Sequence, residues 1–157
     1  MRLLAVIGEE LAEFEAGGEW PVLSGLVAAN GPTSVDVHVL ALITPRKSSF
    51  WFGNPLGRAV AGPGGGPTPR APYDAGESAR QRLERALTYL HRLGLRADGD
   101  IAAGSAYRAV RSEVSRGRYD RVLVLVPQRR EGRWLVVRLR HSLRLPVDGP
   151  AKPPPEL

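Results

Sequence analysis

Three short runs of almost uninterrupted apolar, largely β-branched residues constrain this chain more than any other feature: Leu3–Ile7 (LLAVI), Val35–Ile43 (VDVHVLALI) and Asp120–Pro127 (DRVLVLVP). A strand that is apolar on both sides needs cover on both sides, the situation of a parallel sheet with helices above and below. The intervening segments supply those helices. Trp20–Ala29, with Pro21 in a first turn and Asn30-Gly31-Pro32 as a stop, predicts a short helix that turns Leu23, Leu26 and Val27 inward. Asp74-Ala-Gly-Glu77 has the spacing of a capping box, and Ala79, Leu83, Ala86, Leu87, Leu90 and Leu93 follow at helical spacing as far as Gly94. Leu95–Ile101 predicts a short polar strand at a sheet edge. Gly104-Ser105 then opens a helix with Ala106, Ala109, Val110 and Val114 on one face, Ser105 as N-cap and Gly117 as stop. Strands alternating with helices in this way predict βαβ units and an open, mostly parallel α/β sheet with helices on both faces.

The 157 residues suffice for one such domain, over residues 1–150, with 151–157 as a disordered tail. The segment 45–73 breaks the pattern: it holds six prolines, six glycines and no acid. No regular element survives that composition, so it reads as a long loop, disordered over Val60–Pro72, with the apolar Phe50-Trp51-Phe52 packing back onto the domain. There is no cysteine, which excludes disulfides, thiolate metal sites and cysteine nucleophiles. No apolar run is long enough to span a membrane, and the early Glu9, Glu10 and Glu13 speak against a signal peptide, so a cytoplasmic location is expected.

Familiar catalytic patterns are missing. No G-x-S-x-G supports a Ser/His/Asp hydrolase, no Gly-Lys-Ser/Thr follows the glycines of 62–66, and no G-x-G-x-x-G follows the first strand. His38, His91 and His141 fall on different predicted elements with no carboxylate at ligand spacing, so no metal is expected, and no cofactor either. Charge placement stands above this background. Ser105–Val147 carries eleven arginines against three acids, net +8, whereas Met1–Asp36 carries one arginine against six acids, net −5. Arg129, Arg130 and Arg133 cluster after the third apolar run, at the sheet edge where open α/β folds bind ligands. They suit a phosphorylated small molecule or a polyanion, and Gly104 and Ser142 complete the candidate anion-binding set. The alternative is a solvated arginine surface paired with the acidic N-terminal segment of the same or another subunit. Tyr107, Tyr119 and Trp134 are dispersed along the chain, which weakens a nucleic-acid reading.

The order of elements, the helix ending His91-Arg-Leu-Gly94-Leu, Ala102-Ala-Gly104-Ser105 before a helix, Arg118-Tyr-Asp120 leading into the apolar run to Pro127, Gly132-Arg-Trp134-Leu135 and Leu145-Pro146-Val147 together resemble the universal stress protein superfamily, and most closely an actinobacterial branch of it. The resemblance implies an adenine nucleotide alpha hydrolase-like fold, five strands or four if the last is lost, a role in stress response, and a homodimer. It also bears on Trp134–Leu145, where Val137, Leu139, His141, Leu143 and Leu145 alternate with Arg138, Arg140, Ser142 and Arg144 in a strand-like period. In such proteins this segment is a helix, and helix is the expectation here for Trp134–Leu143. Nucleotide-binding members have an aspartate after the first strand, where this chain has Ile7-Gly8. Their phosphate motif, Gly-x2-Gly-x9-Gly-Ser/Thr, would end on Ser142 and place Gln128, Glu131 and His141 where glycines belong. Side chains there keep backbone amides away from phosphate. The resemblance therefore implies a non-catalytic accessory or interaction module with a degenerate nucleotide site; the alternative is a binding module for a phosphorylated ligand or nucleic acid working through its arginines.

Overall fold

Five strands pair in the order β3-β2-β1-β4-β5, every pair parallel. In the computed structural model they are β1 (Arg2–Ile7), β2 (Asp36–Ile43), β3 (Arg96–Ala103), β4 (Arg121–Leu125) and β5 (Val147–Asp148). The helices between them are α1 (Pro21–Asn30), α2 (Tyr73–Arg92), α3 (Ala106–Arg116) and α4 (Arg130–Ser142). The structure describes residues 1–8, 20–43, 73–125 and 130–149. The expectations for the 45–73 loop up to residue 72, for Val126 and Arg129, and for the 151–157 tail lie outside the described residues.

The two-sided strands divide their residues between two cores. Leu3, Ala5 and Ile7 of β1, Val37, Val39 and Ala41 of β2, and Leu123 of β4 face α1 and α2, where Leu23, Leu83, Ala86 and Leu90 meet them. Leu4, Val6, Leu40, Leu42, Val122 and Val124 face the other way, onto Val110 of α3 and Leu135, Val136 and Leu139 of α4. Period-2 side-chain direction thus explains why the runs are apolar throughout. Leu26 and Val27 pack partly buried beside Leu23, as their spacing predicts.

Several local expectations change. The helix α2 begins at Tyr73, so Asp74 lies within its first turn and is not the cap. Gly94, at φ +75°, ends that helix in the left-handed region that glycine enters without strain. β3 is an edge strand, but with eight residues it is not short. Its alternation of exposed and half-buried residues passes through Gly99, where a Cβ would lie 2.5 Å from the Val39 carbonyl oxygen and 2.6 Å from Leu83 Cδ1. That glycine lets α2 close onto the strand. Ser105 occupies the N-cap position of α3 without a side-chain capping bond. The disputed segment is helical: Leu135, Val136 and Leu139 are buried at i, i+1 and i+4, which buries one stripe, and the period-2 pattern is incidental.

β5 is cut to two residues and is held largely by neighbours. Arg121 Nη1 donates to Asp148 Oδ2 at 2.8 Å, Arg140 Nε donates to the Val147 carbonyl at 2.9 Å, and the Val122 amide donates to the Pro146 carbonyl. At the opposite end of β1, the Arg2 amide donates to Asp120 Oδ2 at 2.7 Å while the Asp120 amide donates to the Arg2 carbonyl. This exchange sets the β1–β4 register and gives Asp120 a structural task.

Candidate functional site

Ligands of open α/β sheets sit beyond the carboxyl ends of the strands, so those ends were the first candidate. β1 runs out into buried Gly8, which offers no side chain. The end of β2 is closed by Arg82 of α2, a buried arginine whose Nη2 donates to the Leu42 carbonyl at 2.9 Å. β3 ends at Gly104, which is exposed with φ +90°. Only residues 126–129, Val-Pro-Gln-Arg, separate β4 from α4, so no glycine precedes the helix, and Gly132 is buried inside its first turn. Arg133 is exposed in that turn; Arg130 is the first residue of α4, and Arg129 lies outside the described residues.

A second constellation was invisible in the sequence. His38 of β2 is buried, and its Nδ1 hydrogen donates to Asp98 Oδ1 at 2.7 Å. The parallel register that sets His38 opposite Asp98 brings them together. The other ring nitrogen, Nε2, lies 3.5 Å from Asp100 Oδ2 and 3.7 Å from Glu113 Oε1 without a hydrogen bond. Tyr119 donates its hydroxyl to Glu113 Oε1 at 2.7 Å and packs its ring 6.0 Å from that of His38. Burial, and next the hydrogen bond to Glu113, hold the Tyr119 phenol in its neutral form well above its ordinary pKa. The His38–Asp98 bond ties β2 to the edge strand β3, and Tyr119, packed on His38, ties both to Glu113 of α3, so these contacts act as a lock. Among the described residues no group of three or more His, Asp or Glu side chains is arranged to hold a metal ion.

The third region is the outer surface where α3 meets α4. Arg108, Arg111, Ser112 and Ser115 follow at i, i+3, i+4 and i+7 along α3, and with Ser105, Tyr107 and Arg138 of α4 they line an open groove of about 570 Å³. The Arg138 guanidinium lies 4.1 Å from the centre of the Tyr107 ring and 4.7 Å from that of Trp134, and Arg111 lies 5.7 Å from Tyr107. These are cation–π distances. The Tyr107 phenol is lowered from its ordinary pKa, first by hydrogen bonding with Ser142 and then by the charges of Arg111 and Arg138. Among the described residues no carboxylate lines this groove. Glu113, the single acid of α3, is turned inward to His38 and Tyr119.

The expected anion set is therefore divided. Ser142, the last residue of α4, joins Tyr107 by a hydrogen bond, and Gly104 stands next to Ser105 at the head of the groove. Arg133 lies nine residues before Ser142, about 14 Å of helix away. Sequence reasoning missed Arg108, Arg111 and Arg138, although the i, i+3 spacing of the first two and the i, i+4 spacing of Trp134 and Arg138 were there to be read.

No family model and no curated protein matches this chain. Solved structures do. A universal stress protein from Archaeoglobus fulgidus superposes with a TM-score of 0.54 at 12% identity, covering 95% of this chain and 92% of that one. A universal stress protein family protein from Arabidopsis thaliana with AMP bound superposes with a TM-score of 0.56 at 16% identity, covering 95% and 90%. The five parallel strands in the order 3-2-1-4-5, with two helices on each face, thus have the adenine nucleotide alpha hydrolase-like fold of the universal stress proteins.

Proposed function

We propose that this domain is a non-catalytic accessory or interaction module of the universal stress protein type, acting in the cytoplasm, whose nucleotide site is degenerate. The observation that carries the reading is the sequence that follows the central strands β1 and β4. Gly8 follows β1 where an acid would be needed for a nucleoside, and Val126–Arg129 runs into α4 without a glycine that would let backbone amides approach phosphate. Arg82, which closes the end of β2, is engaged with the chain's own backbone. The AMP-bound plant neighbour supplies the comparison ligand. Titration calorimetry with AMP and with ATP plus magnesium, at roughly physiological ionic strength, should show no saturable one-to-one binding in the micromolar range. Saturable binding in that range overturns the degenerate-site reading. A homodimer through a sheet edge belongs to the same proposal, and sedimentation at micromolar concentration that finds only a 17.0 kDa species removes it.

A second reading, a module that takes a phosphorylated ligand or nucleic acid through arginine side chains, is favoured by the acid-free groove between α3 and α4.

A further inference from the structure

We propose that the groove between α3 and α4 binds single-stranded RNA, with Arg108, Arg111 and Arg138 taking backbone phosphates and Trp134 and Tyr107 offering ring faces to bases. The inference rests on the second reading above and moves its site away from the strand ends. Its first support is uncompensated charge. None of the three guanidinium groups is paired with a carboxylate among the described residues, and Glu113, which could neutralise them, is held inside by His38 and Tyr119. The lock that fastens the sheet edge thus also leaves the groove uniformly cationic.

Its second support is shape. The lining runs along α3 from Ser105 to Ser115, about 15 Å, and is open rather than enclosed. A single phosphate would leave most of it empty. A flexible strand with phosphates at regular intervals matches a row of arginines one helical turn apart, reinforced by the Ser105 and Ser112 hydroxyls, while Ser115 donates its own to the Ser112 carbonyl. Its third support is the aromatic pair. Tyr107 and Trp134 are far apart in sequence, but Arg138 bridges them, and Trp134 is 55% exposed although it is among the largest apolar surfaces of the domain. The exposed Trp134 and the half-buried Tyr107, flanked by arginine, offer ring faces of the kind on which unpaired bases stack. A-form duplexes bury their base faces, so a single strand is the form that uses them.

The test is fluorescence anisotropy of the full chain with a short fluorescein-labelled oligouridylate over a range of salt concentrations. Wild-type protein should bind, with affinity falling as salt rises. Arg111→Ala combined with Arg138→Ala should weaken binding about tenfold or more and reduce the slope of log affinity against log salt by about 0.7 for each arginine removed. Trp134→Ala should weaken it about fivefold or more with the slope unchanged, because stacking releases no counterions. All three side chains are exposed, and unchanged melting of the variants shows that the fold is intact. If Arg129→Ala with Arg133→Ala abolishes binding while the groove variants retain it, the arginine reading stands and the groove assignment falls. If heparin or an acidic peptide binds as tightly and Trp134→Ala changes nothing, the groove is a general polyanion or acidic-protein surface and the RNA proposal is overturned. Absence of any binding at about 150 mM salt, where only close charges still act, overturns both.

Discussion

The helix layers on the two faces of the sheet do the same work inside and different work outside. Against the sheet, α1 and α2 bury Leu23, Leu83, Ala86 and Leu90, and α3 and α4 bury Val110, Leu135, Val136 and Leu139. On the solvent side, α2 mixes its charges, with exposed Glu77, Arg80, Glu84 and Arg85. The exposed charges of α3 and of α4 from Arg133 onward are cationic: Arg108, Arg111 and Arg116 on one, Arg133, Arg138 and Arg140 on the other. Mixed signs at helical spacing support a helix locally, whereas one sign repels itself and contributes nothing to folding. A surface that is electrostatically unfavourable for the isolated domain is one that a ligand of opposite charge can relieve. The contrast supports the proposed site on the α3–α4 layer over one on the solvent side of α2, where the signs are mixed.

Five substitutions sharpen or break that contrast, taken from the largest expected effect down. Val124 is fully buried under the α3–α4 layer, and Val124→Asp places an unpaired carboxylate there at a cost on the order of 5 kcal/mol, comparable with the whole stability of such a domain. A soluble Val124→Asp protein with a cooperative melt would show that β4 is not a central strand. On the other face, Gly99→Val drives a side chain into the Val39 carbonyl and Leu83, and should cost about 3 kcal/mol by denaturant titration. Near-wild-type stability would mean that α2 can lift off β3.

Arg82→Ala leaves the Leu42 carbonyl without its charged donor in a buried place and should cost about 2 kcal/mol. No measurable loss would erase the distinction between this structural arginine and the groove arginines. Tyr119→Phe removes the bond to Glu113 and should cost about 1 kcal/mol at neutral pH. The alkaline behaviour is the more discriminating readout. The folded protein keeps the Tyr119 proton above the ordinary phenol value of 10.0, where the unfolded chain releases it, so this contribution is intact below about pH 10 and stability falls as pH rises past it. The phenylalanine variant should lose that part of the alkaline decline, and an unchanged pH profile would remove Tyr119 from the lock. Smallest of all, Arg111→Ala should leave the melting free energy within about 0.5 kcal/mol of wild type, or raise it slightly through relieved repulsion. A clear destabilisation would give the groove arginines a structural role.

Much of the fold was legible because it depends on period and punctuation. The uninterrupted apolarity of Leu3–Ile7 and of the run before Pro127 stated that both faces would be covered, and Pro21 and Gly94 marked where helices start and stop. The segment from Trp134 to Leu145 shows the limit. Its alternation satisfied a strand as well as its spacing satisfied a helix, and only the need to bury Leu135, Val136 and Leu139 against Val122 and Val124 decided between them. The candidate site was less legible. Arginines adjacent in sequence, Arg129, Arg130 and Arg133, drew attention because adjacency is all that a sequence displays, while Tyr107 and Trp134 looked dispersed.

What the sequence by itself determined was the class of architecture: covalent order, side-chain period and turn chemistry act within a few residues and need no partner. What only the tertiary structure decided was which distant side chains meet. The crossover that carries α3 over the sheet brings Tyr107 to Arg138 and turns Glu113 toward His38, and the parallel register of β2 with β3 sets His38 against Asp98. Electrostatic and stacking interactions depend on distances of a few ångströms through space, and residues thirty or sixty positions apart acquire such distances only when the chain has packed.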